Sequence, residues 1–322
     1  MKTIRWGMIG CGDVTEVKSG PAFYKCDHST LLAVTNRTLD KAYAYAQRHG
    51  VARVYPDATA LLADPEIDAV YIATPPVGHK ALTLQAAAAG KHVYVEKPMA
   101  MNHAECEEMI AACKRAGVRL YVAFYRRAMP RFLKVKDWIE QDAIGTVCTV
   151  SVLQRQKPAA EELSPETLPW RLRRETSGGG KFLDMGVHVL DSLVSWFGPI
   201  TQVHGRASNR AGLYEVEDTV VASWQHATGV SGVGNWCYVG HDEADRIEIT
   251  GTKGRIEFAF FSDAPLRLVR EAGVDEVSIP NPPHVQQPLI QGIVDELNGV
   301  RPSRCDTEAA ATISAVTDAI LA

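Results

Sequence analysis

The chain has 322 residues, 46% of them hydrophobic, enough to bury a substantial core and long enough to favour two domains over one. A formal net charge of −4, from 34 basic and 38 acidic side chains, argues against a nucleic-acid surface, and no apolar run is long enough to cross a bilayer. The seven cysteines (Cys11, Cys26, Cys106, Cys113, Cys148, Cys237, Cys305) are odd in number and scattered, with no C-x-x-C pair, so they read as reduced thiols of a cytoplasmic protein.

The N-terminus runs almost directly into Ile4-Arg5-Trp6-Gly7-Met8-Ile9, a buried-strand pattern without the charged, apolar and cleavage regions of a signal peptide. Gly10-Cys11-Gly12-Asp13-Val14-Thr15 follows at the first strand-to-helix turn, where glycines let the backbone approach a pyrophosphate and a helix N-terminus stabilises it. Thr15 stands at the third glycine position, and by itself so short a pattern could be an ordinary tight turn. Further strands are expected at 30–36, 53–55, 69–73, 91–95 and 119–124, separated by helices such as Thr38 to His49 and Asn102 to Ala116, with Gly117 as a helix stop. Successive βαβ units of this kind imply a doubly wound parallel sheet.

The end of the second strand bears on the choice of dinucleotide. An NAD site usually places Asp or Glu there for the ribose 2′-OH, whereas this chain reads Val34-Thr35-Asn36-Arg37-Thr38. Arg37 can pair with a 2′-phosphate, and Asn36 and Thr38 can donate hydrogen bonds, so NADP(H) is favoured with NAD(H) possible. The bland alternative is a solvated arginine at a helix start.

Beyond Tyr125 the rhythm changes. A helix at about Pro130 to Gln141 leads into a strand over Gly145 to Gln156. Two hairpin patterns follow, 218–225 with 230–238 and 246–250 with 255–258, the latter around Gly251-Thr252-Lys253-Gly254. The second half therefore reads as a mainly antiparallel sheet with a helix over 180–197 and closing helices near 286–299 and 307–321.

Two segments carry chemistry. In Glu96-Lys97-Pro98 a lysine stands just beyond a strand end, where ligands of open α/β sheets collect. In Gly180 to Asp191, Asp184 and His188 lie four residues apart, on one face if the segment is helical, and Asp191 reads as structural. Lys97, Asp184 and His188 are the expected catalytic set, meeting over a bound substrate; read singly, Lys97 could be a surface lysine, Asp184 a cap and His188 a satisfied core histidine. No histidine has the spacing to Cys or acids that frames a metal site.

Taken together these residues resemble the Gfo/Idh/MocA family of dehydrogenases. The resemblance rests on Gly10 to Thr15, Ala73-Thr74-Pro75-Pro76 with His79, Ala89-Gly90-Lys91-His92-Val93, Glu96-Lys97-Pro98, and Gly178-Gly179-Gly180 followed by Asp184-x-Gly186-x-His188-x-x-Asp191. It implies an N-terminal Rossmann domain, here 1–124, and a C-terminal α+β domain with a large open, mostly antiparallel sheet, here 125–322, with the closing helices able to pack back on the first domain. It implies that Thr74, Pro75, Pro76 and His79 line the cofactor, that Glu96 holds its ribose or carboxamide side, that Lys97 serves the active site, and that Trp170 and Arg171 lie near the nicotinamide. The reaction expected is reversible hydride transfer between nicotinamide C4 and a secondary alcohol or ketone of a sugar, polyol or sugar derivative. A homodimer or homotetramer through the C-terminal sheet is expected. The alternatives are a redox-type glycoside hydrolase with retained cofactor and a non-catalytic dinucleotide sensor; the proton-transfer set argues against the sensor.

Overall fold

In the computed structural model, which describes residues 1–322, six strands from the first part of the chain pair in parallel. They are β1 (Ile4–Ile9), β2 (Ser29–Thr35), β3 (Arg53–Val54), β4 (Ala69–Ile72), β5 (His92–Val95) and β6 (Leu120–Val122), in the spatial order β3-β2-β1-β4-β5-β6. The order reverses between β2 and β4 on either side of β1, the switch point at which open α/β sheets bind ligands beyond their carboxyl ends. β4 and β6 are buried along their whole length, as strands covered on both faces must be, which is why they read as continuous apolar runs. Trp6, Phe23, Tyr71 and Tyr94 stack through the core at centroid separations of 4.9, 5.1 and 5.1 Å.

Local signals set the helix ends. Asn102 Oδ1 accepts from Glu105 N–H at 3.0 Å to start the helix His103–Ala116, and Gly117, at φ +68°, ends it.

By internal packing this unit comprises Met1–Met129 together with Pro282–Ala311. The sequence expectation of 1–124 and 125–322 counted that late segment with the second domain while allowing the closing helices to pack back on the first. Its attachment is polar as well as apolar: Gln286 bonds to Glu96 and Tyr94, and Tyr121 OH donates to Glu296.

The other unit comprises Pro130–Asn281 and Thr312–Ala322. Its strands are β7 (Val147–Arg155), β8 (Ile200–Ser208), β9 (Thr219–His226), β10 (Ser231–Cys237), β11 (Ala244–Gly251), β12 (Gly254–Phe258), β13 (Leu266–Arg270) and β14 (Gly273–Val277), ordered β14-β13-β12-β11-β7-β10-β9-β8. All neighbours are antiparallel except β7 and β10. Alternation marks the two faces: in β9 Val220, Ala222, Trp224 and His226 are buried while Val221, Ser223 and Gln225 are exposed. The covered face packs on the helix Val187–Phe197, through Phe197 against His226 and Trp196 against Phe258, and on Phe182 against Trp236. The expected hairpins appear as β9–β10 and β11–β12. β8, β13 and β14 had escaped the pattern reading: β8 and β14 are the two edges, largely solvated, and carry little apolar alternation.

Candidate functional site

In the first unit the carboxyl ends of β1, β2, β4 and β5 present adjoining turns. Gly10 ends β1 with φ +103°, and an added Cβ would lie 2.7 Å from Ala73 O, so this crossing admits only glycine. Gly12, at the start of the short helix Asp13–Val17, is the opposite case, since a Cβ there would meet nothing within 4 Å. Its backbone is open to an approaching group. Asp13 is exposed and Val14 half-buried beside it. Thr15 is fully buried, its hydroxyl donating to Gly12 O at 2.7 Å and its carbonyl accepting from Tyr45 OH at 3.0 Å. It shapes the loop and offers no hydroxyl outward. Burial also pushes the Cys11 thiol up to about 12, so that side chain is an inert filler.

Asn36 accepts from Cys11 N–H at 3.2 Å and donates to Thr38 O at 3.0 Å, tying the glycine turn to the end of β2. Arg37 is exposed and makes no ion pair, and Thr38 opens the helix Leu39–His49 without a side-chain capping bond. Neither side chain's donors are taken up by the protein.

Beyond β4 the Thr74 hydroxyl is buried with no partner in the protein. An unpartnered buried hydroxyl is uncommon, and with the clear face of Gly12 it is compatible with a dinucleotide at these turns. Pro75 and Pro76 lead into a short 3₁₀ turn, Pro76–Gly78. His79 differs from its expected place at the cofactor: its side chain is fully buried, with Nε2 2.8 Å from Thr74 O and Nδ1 3.0 Å from Pro98 O. Burial, partly opposed by these carbonyls, holds its imidazole below the usual range, and a neutral ring donates to one carbonyl at a time. It is a clip between two turns, and any influence on a cofactor passes through Thr74 and Pro98.

Glu96 is likewise built into the protein. Its Oε1 accepts from Tyr71 OH at 2.5 Å and Gln286 Nε2 at 2.7 Å, while Oε2 takes only Lys97 N–H, at 3.3 Å. Tyr94 OH donates to Gln286 Oε1 at 2.7 Å, which closes the network. Lys97, half-buried, follows at the end of β5. Sequence reading had no signal for Gln286, which lies 190 residues from Glu96.

In the second unit Gly180 N–H donates to Glu217 Oε1 at 2.7 Å, and an added Cβ would collide with Glu217 O. The chain then makes a π turn, Phe182–Gly186, with Val187 N–H reaching Phe182 O, before the α-helix Val187–Phe197. Asp184 sits in the π turn and His188 in the first α turn. The two are thus not related by the plain α-helical step that their spacing suggested. Asp184 is half-buried, His188 and Asp191 are buried. Arg171 Nε stands 3.4 Å from Asp184 Oδ2 while its guanidinium lies over the Trp170 ring at 4.4 Å, so this pair reaches the acid of the expected catalytic set.

Sequence reading missed two acids here. Glu217 holds the glycine segment from below, and burial, only partly offset by the Gly180 N–H, raises its carboxyl above the ordinary value. Glu162 pairs with Lys181 at 2.6 Å. Neither lies in a recognisable spacing; each comes from a loop remote in sequence.

Comparison with known proteins matches residues 4–124 to the oxidoreductase family with an NAD-binding Rossmann fold named GFO/IDH/MocA, and residues 132–257 to the C-terminal domain of that family. An oxidoreductase of Formosa agariphila is 36% identical over 98% of this chain and 97% of its own length. The 1,5-anhydro-D-fructose reductase of Ensifer adhaerens is 30% identical over 78% of this chain and 74% of its own. Among solved structures, aldose-aldose oxidoreductase from Caulobacter crescentus, complexed with glycerol, superimposes with a TM-score of 0.87 at 26% identity, covering 99% of this chain and 96% of that one.

Proposed function

The chain belongs to the GFO/IDH/MocA family of NAD(P)-dependent oxidoreductases, and from that membership we propose that it interconverts a secondary alcohol and a ketone on a sugar, polyol or sugar derivative. The observation that carries the substrate class is the character of the second unit's site: Asp184, Arg171 and Lys181 present charged hydrogen-bonding groups, as a hydroxyl-rich molecule requires, on the segments around His188. The reductase of Ensifer adhaerens, whose name gives an anhydro-sugar as its substrate, supports the same class.

The dinucleotide is held by the backbone of Gly10 to Thr15 and by the Thr74 hydroxyl, with Pro75, Pro76, Glu96 and the His79 clip fixing the surrounding turns. NADP(H) is preferred to NAD(H), supported by the unpaired guanidinium of Arg37 and the uncapped hydroxyl of Thr38. When bound, the nicotinamide supplies the hydride chemistry. Lys97 binds and polarises the substrate oxygen. His188, on the segment that carries Asp184, is the principal proton carrier. Asp184, steadied by Arg171, fixes a neighbouring hydroxyl or the imidazole.

A homodimer or homotetramer forms through the open face of the second unit's sheet, where β9 and β10 expose Val221, Ser223, Val233 and Asn235 without a charge. No helix is long and apolar enough to cross a membrane, and all seven cysteines are free thiols, which suits the cytoplasm.

The test is the absorbance of reduced nicotinamide with NADP⁺ and then NAD⁺ across cyclic polyols, aldoses, glycosides and anhydrosugars, with NADPH and keto-sugars in reverse. Turnover is expected on at least one ring alcohol. Cleavage of a glycoside without net reduced cofactor would replace the dehydrogenase by an internal-redox hydrolase, and tight cofactor binding with no turnover would leave a sensor.

A further inference from the structure

Near Asp184 in the second unit lies a charged pair that the catalytic set does not use. Glu162 closes a short 3₁₀ turn, Ala160–Glu162, and its side chain is only 6% exposed; Lys181 Nζ sits 2.6 Å from its Oε1 and is 13% exposed. A buried ion pair is weak evidence of stability, because desolvation of both ions offsets their attraction. Its hydrogen bonding is also incomplete. Glu162 Oε2 is buried with no partner in the protein, while Glu162 Oε1 is the ion-pair partner of the Lys181 ammonium, which carries three donors. The Tyr214 hydroxyl, in the apolar cluster with Leu172 and Val216, is a third buried polar atom without a partner. Burial raises this phenol above its ordinary range, and the charge of Glu162 adds to the effect, which places the two in one electrostatic neighbourhood.

The pair also shares surroundings with the reacting groups. Lys181 is three residues before Asp184, and its ammonium lies 6.0 Å from the centroid of the buried Tyr238 ring. The charge of Asp184 reaches that same phenol, whose pKa burial drives up in the first place.

Resting on the function proposed above, we infer that Lys181 is a specificity-determining residue that binds one substrate hydroxyl beyond the reacting carbon, with Glu162 as the positioning residue that holds the ammonium in place. A hydroxyl both accepts and donates, and an ammonium backed by a carboxylate offers a donor while remaining nearly neutral as a pair. That combination selects an uncharged polyhydroxyl compound over a sugar phosphate or sugar acid, for which an unneutralised cation would serve better.

The experiment compares wild type with Lys181→Met, Glu162→Gln and the double variant. It measures kcat/KM, and calorimetric affinity, for myo-inositol, D-glucose and 1,5-anhydro-D-glucitol and for their monodeoxy analogues. In wild type, loss of one particular hydroxyl is expected to cost about 10- to 100-fold, the size of a hydrogen bond to a charged group. Lys181→Met should bring parent and deoxy compound to parity by weakening the parent alone. The double variant, which leaves no lone charge behind, should melt close to wild type yet remain indifferent to that hydroxyl. A variant series that keeps the wild-type discrimination, or loses activity equally on every compound in step with a falling melting temperature, makes the pair structural and overturns the inference while the dehydrogenase reading stands. Selective binding without turnover upholds the inference and defeats that reading; neither binding nor turnover defeats both.

Discussion

At the carboxyl ends of β1, β2 and β4 the atoms available to a ligand come mainly from backbone: the bared turn at Gly12, the crossing at Gly10 against Ala73 O, and around them the clips of Thr15, Asn36 and His79. The second unit presents side chains instead, Arg171, Lys181 and Asp184, each held by a partner from another loop or by a π turn. A backbone cradle suits a ligand whose phosphates are constant, and side chains suit one whose hydroxyl pattern has to be told from others. Where backbone forms the site, glycine and the residues that fix the turn carry function. Where side chains form it, the buried acids behind them do.

The comparison is broken most sharply by chemistry. Lys97→Ala should lower kcat by about 10²- to 10⁴-fold while the cofactor dissociation constant moves by no more than about threefold. Equal loss of both in stopped-flow and fluorescence titration would make Lys97 a structural residue. Gly12→Ala comes next. Since no atom lies within 4 Å of the added methyl, the melting temperature should hold, yet dinucleotide affinity should drop by at least about tenfold because, in the proposed binding mode, the methyl would stand where the pyrophosphate approaches. Unchanged affinity would remove Gly12 from the cradle.

Arg37→Ala separates the two dinucleotides. Loss of a charge-assisted bond should weaken NADP(H) by about 10- to 100-fold and leave NAD(H) nearly unchanged, and parallel weakening would undo the phosphate assignment. Gly180→Ala is the mirror of Gly12→Ala: its methyl collides with Glu217 O, so stability should fall by about 1–3 kcal/mol, read by calorimetry, with cofactor affinity intact. A variant as stable as wild type would show that the glycine segment gives way.

The smallest effect is a pH dependence. Burial raises the Glu217 carboxyl above its ordinary 4.5, so the folded chain holds this proton more tightly than the unfolded one. Stability from this group is then complete below the ordinary value and falls as pH rises through the folded one. Glutamine keeps the acceptor for Gly180 N–H without the charge. Glu217→Gln should match wild type near pH 4 and melt progressively higher than it by pH 7. A gap that closes as pH rises would sink this account.

Much of the first unit was legible because its signals are local. Strand bounds at β1 and β5, the Asn102 cap and the Gly117 stop follow from apolar runs and from two residues with special backbone or capping chemistry. The hairpin β11–β12 was equally plain from alternation around Gly251 to Gly254. The parallel pairing of β7 with β10 was not, since it joins strands 76 residues or more apart and neither strand's pattern names its partner.

At the site itself, Gly10, Arg37, Lys97, Asp184 and His188 stood out in sequence because each belongs to a compact spacing or a strand end. The sequence by itself thus determined the family and the parallel sheet and nominated the residues proposed to carry the chemistry, all of which depend on short-range pattern. Only the tertiary structure decided that His79 and Glu96 are committed to internal partners, that Asp184 rides a π turn beside Arg171, and that Glu162 stands behind Lys181. Each of those is a question of which remote hydrogen-bonding group fills an otherwise costly buried vacancy, and the answer is set by packing across the chain, which no local spacing encodes.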